Sequence, residues 1–366
     1  MSLRRLHLLD FRSFAEATFE PDPAGTTVLT GPNGTGKTTI LEAVAYLGTQ
    51  RSFRGAPREA MVRTGCERAV VRAELDRDGS PVLVEAEVAA TGRSRAQVNR
   101  QPVRARRDLA EAVPVTVFSP DDLGVVQGGP ARRRDLLDDA LRLLDPGAAA
   151  VADEVERVLR QRSALLRQAG GRLSPEIADT LEVWDERLGT AGTALAEARQ
   201  ALCAALAPYA DTSYAALAAG GEPPGGGHPA VALSYRRSWE GALADALVAG
   251  RRDDVRRGAT STGPHRDDLV LSIAGRDARL QASQGEQRCL ALALRLGVHR
   301  LVTARAGTPP ILLLDDVFSE LDPDRSLALV GELPGGQALL TTAMPVPDGV
   351  SVASTVDVRR LLGAGR

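Results

Sequence analysis

The stretch Gly31-Pro32-Asn33-Gly34-Thr35-Gly36-Lys37-Thr38-Thr39, GPNGTGKTT at residues 31–39, decides how this chain is read. It follows Thr26-Thr27-Val28-Leu29-Thr30, a short β-branched run, and leads into Ile40-Leu41-Glu42-Ala43-Val44, so a strand feeds a Gly-rich turn and then a helix. Gly31, four intervening residues and Gly36-Lys37-Thr38 match the P-loop pattern. Glycines let backbone N–H groups curl around phosphate oxygens, and the helix N-terminus adds a favourable dipole. Lys37 is the only lysine among 45 basic residues; the rest are arginine. A compact ammonium on a flexible stem reaches the β- and γ-phosphates, whereas the planar guanidinium fork does not fit the same cradle. Residues 31–39 are therefore the candidate nucleotide site. A guanine-reading Asn-Lys-x-Asp element needs a second lysine, so ATP with Mg²⁺ is the expected ligand.

A P-loop ATPase also needs an acid at the end of a buried strand. Ile311-Leu312-Leu313-Leu314-Asp315-Asp316 supplies it: four consecutive apolar residues suit a parallel strand covered on both faces. Asp315 is expected to hold Mg²⁺ through water while Thr38 ligates it directly, and Asp316 to polarise the attacking water. A third element, Ser283-Gln284-Gly285-Glu286-Gln287, precedes the apolar run from Cys289 to Val302. Ser283 and Glu286 have the spacing of a capping box.

At 366 residues the chain should form about two domains of roughly 150 residues each. Its 43% hydrophobic content fills a core, and with only 3% aromatics Leu, Val and Ala must do the packing. No apolar run approaches the ~20 residues that cross a bilayer, and Asp10 interrupts any signal-peptide core. A cytoplasmic protein is expected. Cys66, Cys203 and Cys289 are odd in number and far apart, which speaks against a disulfide framework or a zinc ribbon. The formal charge of −2 gives no global pull toward nucleic acid, but residues 51–107 hold 13 arginines against 7 acids, an excess of 13 − 7 = 6. Arg51, Arg54, Arg93, Arg95, Arg104, Arg106 and Arg107 are the candidate DNA contacts, to phosphates rather than bases; a solvated face on an arginine-rich protein is the competing reading.

Along the chain, Leu3–Phe14 reads as a strand. Residues 69–75 and 82–88 form a hairpin around Asp78-Gly79, and 115–118 adds a strand, giving an antiparallel β subdomain over about 69–118. Helical periodicity takes over from Arg132 to about Tyr209, with Ser174-Pro175 as a cap and first turn. Residues 220–229 read as a flexible loop and 231–235 as a strand leading back to the first domain. The expected division is an ATPase core of 1–130 and 255–366 with a mainly helical lobe of 131–254.

P-loop, Ser-x-Gly-x-Gln and Asp-Asp, in that order, resemble the ABC-type ATPase family, with Ser283–Gln287 as its signature and Ser319-Glu320-Leu321-Asp322 as its D-loop. Within it the chain is similar to the RecF family. The similarity rests on Phe11-Arg12-Ser13-Phe14, on Ser119-Pro120-Asp121-Asp122-Leu123 with residues 128–138, and above all on Thr262-Gly263-Pro264-His265-Arg266-Asp267-Asp268-Leu269. The resemblance implies an α/β ABC-type ATPase head like those of SMC proteins: a P-loop core with a mixed sheet and an antiparallel β subdomain, plus an inserted helical lobe, without a long coiled coil. It implies an ATP-dependent homodimer in which Ser283, Gly285 and Gln287 of one copy cover the nucleotide of the other. It also implies DNA clamping, cooperation with RecO and RecR in loading RecA at single-strand gaps, and Arg12 near the phosphates.

Two departures stand out. The histidine that many ABC proteins place after the next strand is absent, and Thr341 or Thr342 takes its place. The usual glutamate after the first acid is Asp316, one methylene shorter, from which slow turnover is expected; that DNA stimulates it is expected from the resemblance. The Q-loop position, which also bears on the metal, falls to Gln127 or to a residue near Ser119. His265 is either a phosphate sensor or part of a structural turn. The alternative function is the nucleotide-binding subunit of a membrane transporter, which leaves the missing histidine and the run 262–269 unexplained. A nucleotide-gated interaction module with negligible hydrolysis differs from the RecF-type reading mainly in the competence of Asp316.

Overall fold

The computed structural model describes residues 1–103, 105–218, 230–319 and 321–362. The predicted loop at 220–229, Arg104 and Glu320 lie outside the described residues. Two compact units are present: Met1–Leu123, Tyr209–Pro229 and Arg288–Arg366 form the first, Gly124–Pro208 and Ala230–Gln287 the second.

The first unit is built on two sheets. Strands β1 (Ser2–Phe11), β2 (Phe14–Phe19), β4 (Arg68–Arg77), β5 (Ser80–Ala89), β6 (Arg95–Val98) and β7 (Gln101–Pro102) pair antiparallel in the order β2-β1-β4-β5-β6-β7. The β4–β5 hairpin turns on Asp78 (φ 51°) and Gly79 (φ 85°), both left-handed, as a two-residue connection demands. Strands β3 (Thr26–Thr30), β8 (Val115–Phe118), β12 (Ile311–Asp315), β13 (Ala338–Thr341) and β14 (Val352–Asp357) form a parallel sheet in the order β14-β3-β13-β12-β8. The antiparallel region thus spans 2–102 rather than 69–118, and 115–118 belongs to the parallel sheet. Its Ile311↔Val115 register with the acidic strand is a long-range pairing that local pattern cannot reveal. Helix α1 (Lys37–Thr49) is buried through most of its length, and Ile40, Leu41, Ala43, Val44 and Leu47 join Leu3, Leu6, Leu8, Leu29, Ile311, Leu313 and Leu339 in one core. Gln337, buried, accepts from Leu3 N (2.7 Å) and donates to Leu3 O and Asp22 O (2.8 Å each), tying the antiparallel strand β1 to the loop before β13. Short helices α2 (Arg58–Met61) and α3 (Arg106–Ala112) and the later α11 (Pro323–Glu332) and α12 (Arg359–Leu362) complete this unit.

The second unit holds α4 (Leu123–Gln127, but for its first residue), α5 (Pro130–Leu144), α6 (Pro146–Gln168), most of α7 (Pro175–Ala218), α8 (Leu243–Arg257) and α9 (Ala278–Gln281). Ile177 N donates to Ser174 Oγ (3.3 Å), the cap read from the sequence. Three strands, β9 (Val231–Arg236), β10 (Asp268–Ile273) and β11 (Arg276–Asp277), form a small sheet. The expected lobe boundaries are corrected here. β9 does not lead back to the first domain: it pairs with β10 from Asp268↔Arg236 to Ile273↔Val231, so residues 255–287 fold with the helical unit. Buried ion pairs fix the same assignment. Arg162, fully buried on α6, donates to Asp185 Oδ1 (2.8 Å), Asp254 Oδ2 (2.7 Å) and Thr260 Oγ1 (2.8 Å). Helix α10 (Gln284–Ala306) starts in this unit and its remainder belongs to the first.

Candidate nucleotide site

The loop 31–36 leaves β3 and enters α1 with Gly31, Gly34 and Gly36 all at positive φ. Gly36 is required twice over: at φ 98° it is left-handed, and a Cβ there would stand 2.8 Å from the Phe14 ring. Helix α1 begins without a side-chain cap, so the N–H groups of Lys37, Thr38 and Thr39 in its first turn are donors in search of an acceptor. Pro32, Asn33 and Gly34 are exposed, Thr39 is buried, and Thr35 donates to Pro32 O (2.8 Å). Lys37 Nζ, nearly buried, donates to Gly31 O (2.6 Å) and Pro32 O (3.2 Å), which curls the loop around the ammonium. A phosphate oxygen is the stronger, charge-assisted acceptor for that group.

Asp315 ends β12 beside this loop. Its Oδ1 accepts from Thr38 Oγ1 (2.8 Å) and from Thr341 Oγ1 (2.7 Å). Burial pushes its carboxyl above the usual carboxylate range; the two threonines and the nearby Arg54 pull the other way, and Asp316 adds to the rise. A hydroxyl and one carboxylate are hard oxygen donors of the kind Mg²⁺ takes when phosphate and water complete its shell, so this donor set fits the metal. Among the described residues no cluster of three or more His, Cys, Asp or Glu could hold a metal by itself. Asp316 is left-handed at φ 49°, and its Oδ1 is buried with no hydrogen-bond partner among the described residues. It borders a cavity of about 40 Å³ together with Ser119, Asp122 and Leu292. Of the two Q-loop candidates, the Ser119 segment therefore adjoins the acid. The amide of Gln127, the other candidate, donates to Gln287 Oε1 (2.7 Å). Thr342 is occupied in a turn with Met344 (2.8 Å), and it is Thr341 that faces the acids.

Arg12 lies in the turn between β1 and β2 (φ 56°), not on a strand. Its guanidinium grips Glu42 on α1 in a two-point pair (2.8 and 2.6 Å) and donates to Ala60 O (2.8 Å). The expected phosphate contact is replaced in this structure by an internal ion pair that braces α1. The sequence signal for it was Glu42, an acid on an otherwise apolar helix.

In the second unit Ser283 N donates to Glu286 Oε2 (2.7 Å) and Glu286 N to Ser283 Oγ (3.3 Å), the reciprocal capping box expected at the start of α10. Ser283 and Gln284 are exposed. Gln287 is buried, and its amide donates to Ala278 O (3.0 Å) and Arg279 O (3.1 Å), which supports the turn at Ser283 from behind. The run 262–269 is the hub of this unit. Pro264 O accepts from Arg199 (2.8 Å), Asp267 O from Arg134 (2.6 Å), Asp267 Oδ2 from Tyr235 (2.6 Å), and Asp268 from both arms of Arg133 (2.7 and 3.2 Å). Residues 128–138 and 262–269 thus hold each other through Arg133 and Arg134. His265 Nε2 lies 3.0 Å from Thr260 O within this turn, and burial lowers its pKa.

The candidate DNA arginines divide. Arg93, Arg95 and Arg106 line a groove of about 1040 Å³ over β4–β6, with Arg58 and Arg72 also on its walls. The last two were missed, although the alternating burial of β4 puts Arg72 on the open face. Arg51 and Arg54 do not line this groove; Arg54 acts on Asp315. Arg107 also stands off its walls, 3.6 Å from Asp108. Among the described residues no helix is long and apolar enough to cross a membrane.

Residues 2–335 match the family described as RecF/RecN/SMC N terminal domain. The chain is 41% identical over 362 residues to the DNA replication and repair protein RecF of Acidothermus cellulolyticus, covering 95% of each. It is 40% identical over 380 residues to that of Kineococcus radiotolerans, covering 96% of this chain and 95% of the relative. A solved structure of the recombination mediator protein RecF-ATP in the RecFOR pathway superimposes with a TM-score of 0.84 at 26% identity, covering 94% of this chain and 92% of that one. An Smc head bound to the C-terminal winged-helix domain of ScpA matches at TM-score 0.52 and 16% identity, a likeness of fold alone.

Proposed function

Since the chain belongs to the RecF family of SMC-type ATPase heads, we propose that it is an ATP-gated DNA clamp of recombinational repair and replication-fork maintenance. The observation that carries this reading is the convergence of Lys37, Thr38, Asp315 and Asp316 at one end of the parallel sheet, together with an exposed, capped signature turn at Ser283. ATP lies along residues 31–39, its phosphates taken by the first-turn N–H groups and Lys37. Thr38 and Asp315 would hold Mg²⁺, which when bound would neutralise charge on the β- and γ-phosphates. Asp316 polarises the attacking water. Ser283 and Gly285 of a second copy cover the phosphate with a hydroxyl and an N–H at a helix N-terminus. Binding closes a head-to-tail homodimer on DNA, and slow, DNA-stimulated hydrolysis opens it. In this reading the clamp marks single-strand gaps where RecO and RecR load RecA. Family membership sets aside the transporter-subunit alternative.

Mass by light scattering, in Mg²⁺ with and without ATP, tests the dimer. The molecular mass is expected to double on ATP addition. A mass that stays monomeric while ATP binding is demonstrated would remove the trans role of Ser283 and Gly285.

The groove over β4–β6 is the proposed DNA face, for phosphate contacts. Its one aromatic lining residue, Tyr46, is buried, so it offers no platform for base stacking. Reversing Arg93 and Arg95 to glutamate should weaken DNA binding at least tenfold near 0.1 M salt. The log K against log salt slope should flatten by about 1.5–2, as two phosphate contacts are lost. ATP binding is expected to persist; an unchanged salt slope would remove this face from the clamp.

A further inference from the structure

We propose that Thr341 is a positioning residue for ATP hydrolysis, setting the metal-holding acid and the water-polarising acid at once through a single hydroxyl. The inference rests on reading Asp315 and Asp316 in those two roles. A threonine hydroxyl has one hydrogen to give and two lone pairs to receive. Here the hydrogen goes to Asp315 Oδ1 at 2.7 Å, and a lone pair takes the Asp316 N–H at 3.0 Å. The same N–H is shared with Thr341 O at 3.1 Å, so it is forked between the hydroxyl and the carbonyl of one residue.

The sheet itself makes this possible. In the parallel β12–β13 register Asp315 stands opposite Thr341, at the strand ends where the chain leaves the ladder. Thr341 is 1% exposed, too deep to touch a nucleotide, so whatever it contributes passes through the acids. Two consequences follow. Oδ1 of Asp315 receives both protein donors, Thr38 and Thr341, which leaves Oδ2 as the oxygen with no protein donor among the described residues. The forked bond also pins the backbone where Asp316 turns left-handed, a conformation that costs a non-glycine residue energy and needs an external hold.

Thr341→Val keeps shape and removes both polar contacts; Thr341→Ser keeps the hydroxyl. Three quantities are to be measured on the full chain: ATP affinity without metal, Mn²⁺ affinity of the ATP complex by electron paramagnetic resonance, and kcat with KM. For valine, metal-free ATP affinity should stay within twofold, Mn²⁺ should bind about tenfold more weakly, and kcat should fall at least tenfold with KM nearly unchanged. Serine should recover Mn²⁺ affinity and kcat to within threefold of the parent. If valine destabilises the fold, Thr341→Ala carries the same expectation. A valine variant with parental Mn²⁺ affinity and kcat, or a serine variant as impaired as valine, overturns the inference. Asp315→Asn separates the premises: if it too leaves Mn²⁺ binding unchanged, the role of Asp315 fails, whereas if it weakens binding and valine leaves it at the parental value, only the role of Thr341 fails.

Discussion

Replacing Lys37 with methionine is expected to lower ATP affinity by about a hundredfold or more, and Lys37→Arg to be nearly as damaging. Hydrogen bonds to a charged group contribute about 1.5–3 kcal/mol each, and about 1.4 kcal/mol is a factor of ten, so a lysine that meets two phosphates accounts for a loss of that size. The arginine variant is the more telling one, because it keeps the charge. Nζ lies 2.6 Å from Gly31 O inside a closed loop, and Gly36 is already against Phe14, so the loop has no room to widen for a planar fork. Folding should be unaffected by methionine, since Lys37 makes its bonds only to carbonyls of its own loop. Titration calorimetry with ATP reads the result directly. An arginine variant that binds within threefold of the parent would mean that charge alone suffices and that shape does not explain the chain's single lysine.

That lysine also marks how far the sequence could be read. The P-loop, the acidic strand and the capping box are local: each is specified within about ten residues, and each stands in the structure at its predicted position. What stayed hidden was set by pairing across long separations. The turn at Arg12 looks like a continued strand until Phe14 is seen to pair back on Phe11, and the arginine's partner, Glu42, is 30 residues away. The assignment of 255–287 depends on β10 finding β9 across residues 237–267, a matter of tertiary register. Gln127 and Gln287, each read from the sequence as facing a ligand, hydrogen-bond one another over a separation of 160 residues. A polar residue at a motif position carries no mark of which way it faces. Burial decides that, and burial is a property of the whole fold.

The second large effect is on stability and falls far from the phosphates. Arg162→Met is expected to destabilise the second unit by about 3–5 kcal/mol, the usual cost of breaking a buried ion pair by removing one partner. Arg162 is fully buried, and Asp185 and Asp254, both nearly so, face it from α7 and α8. Arg251 still reaches Asp185 Oδ2 (2.6 Å), and Ser261 still donates to Asp254 Oδ1 through its N–H (2.9 Å) and its hydroxyl (2.6 Å). Neither replaces the lost positive charge between the two carboxylates. Asp254→Asn in the methionine background should therefore recover part of the loss, by removing one of the two stranded charges. Because Thr260 and Ser261 lead directly into the run 262–269 that organises the signature-bearing unit, the methionine variant should keep ATP binding at Lys37 yet lose the ATP-dependent doubling of mass. Denaturant unfolding followed alongside ATP titration separates these effects. A loss below 1 kcal/mol would show that the network is relaxed by water and is not the clasp of this unit. A loss of ATP affinity equal to the loss of stability would show instead that the two units unfold as one and that the nucleotide site is not independent of the Arg162 network.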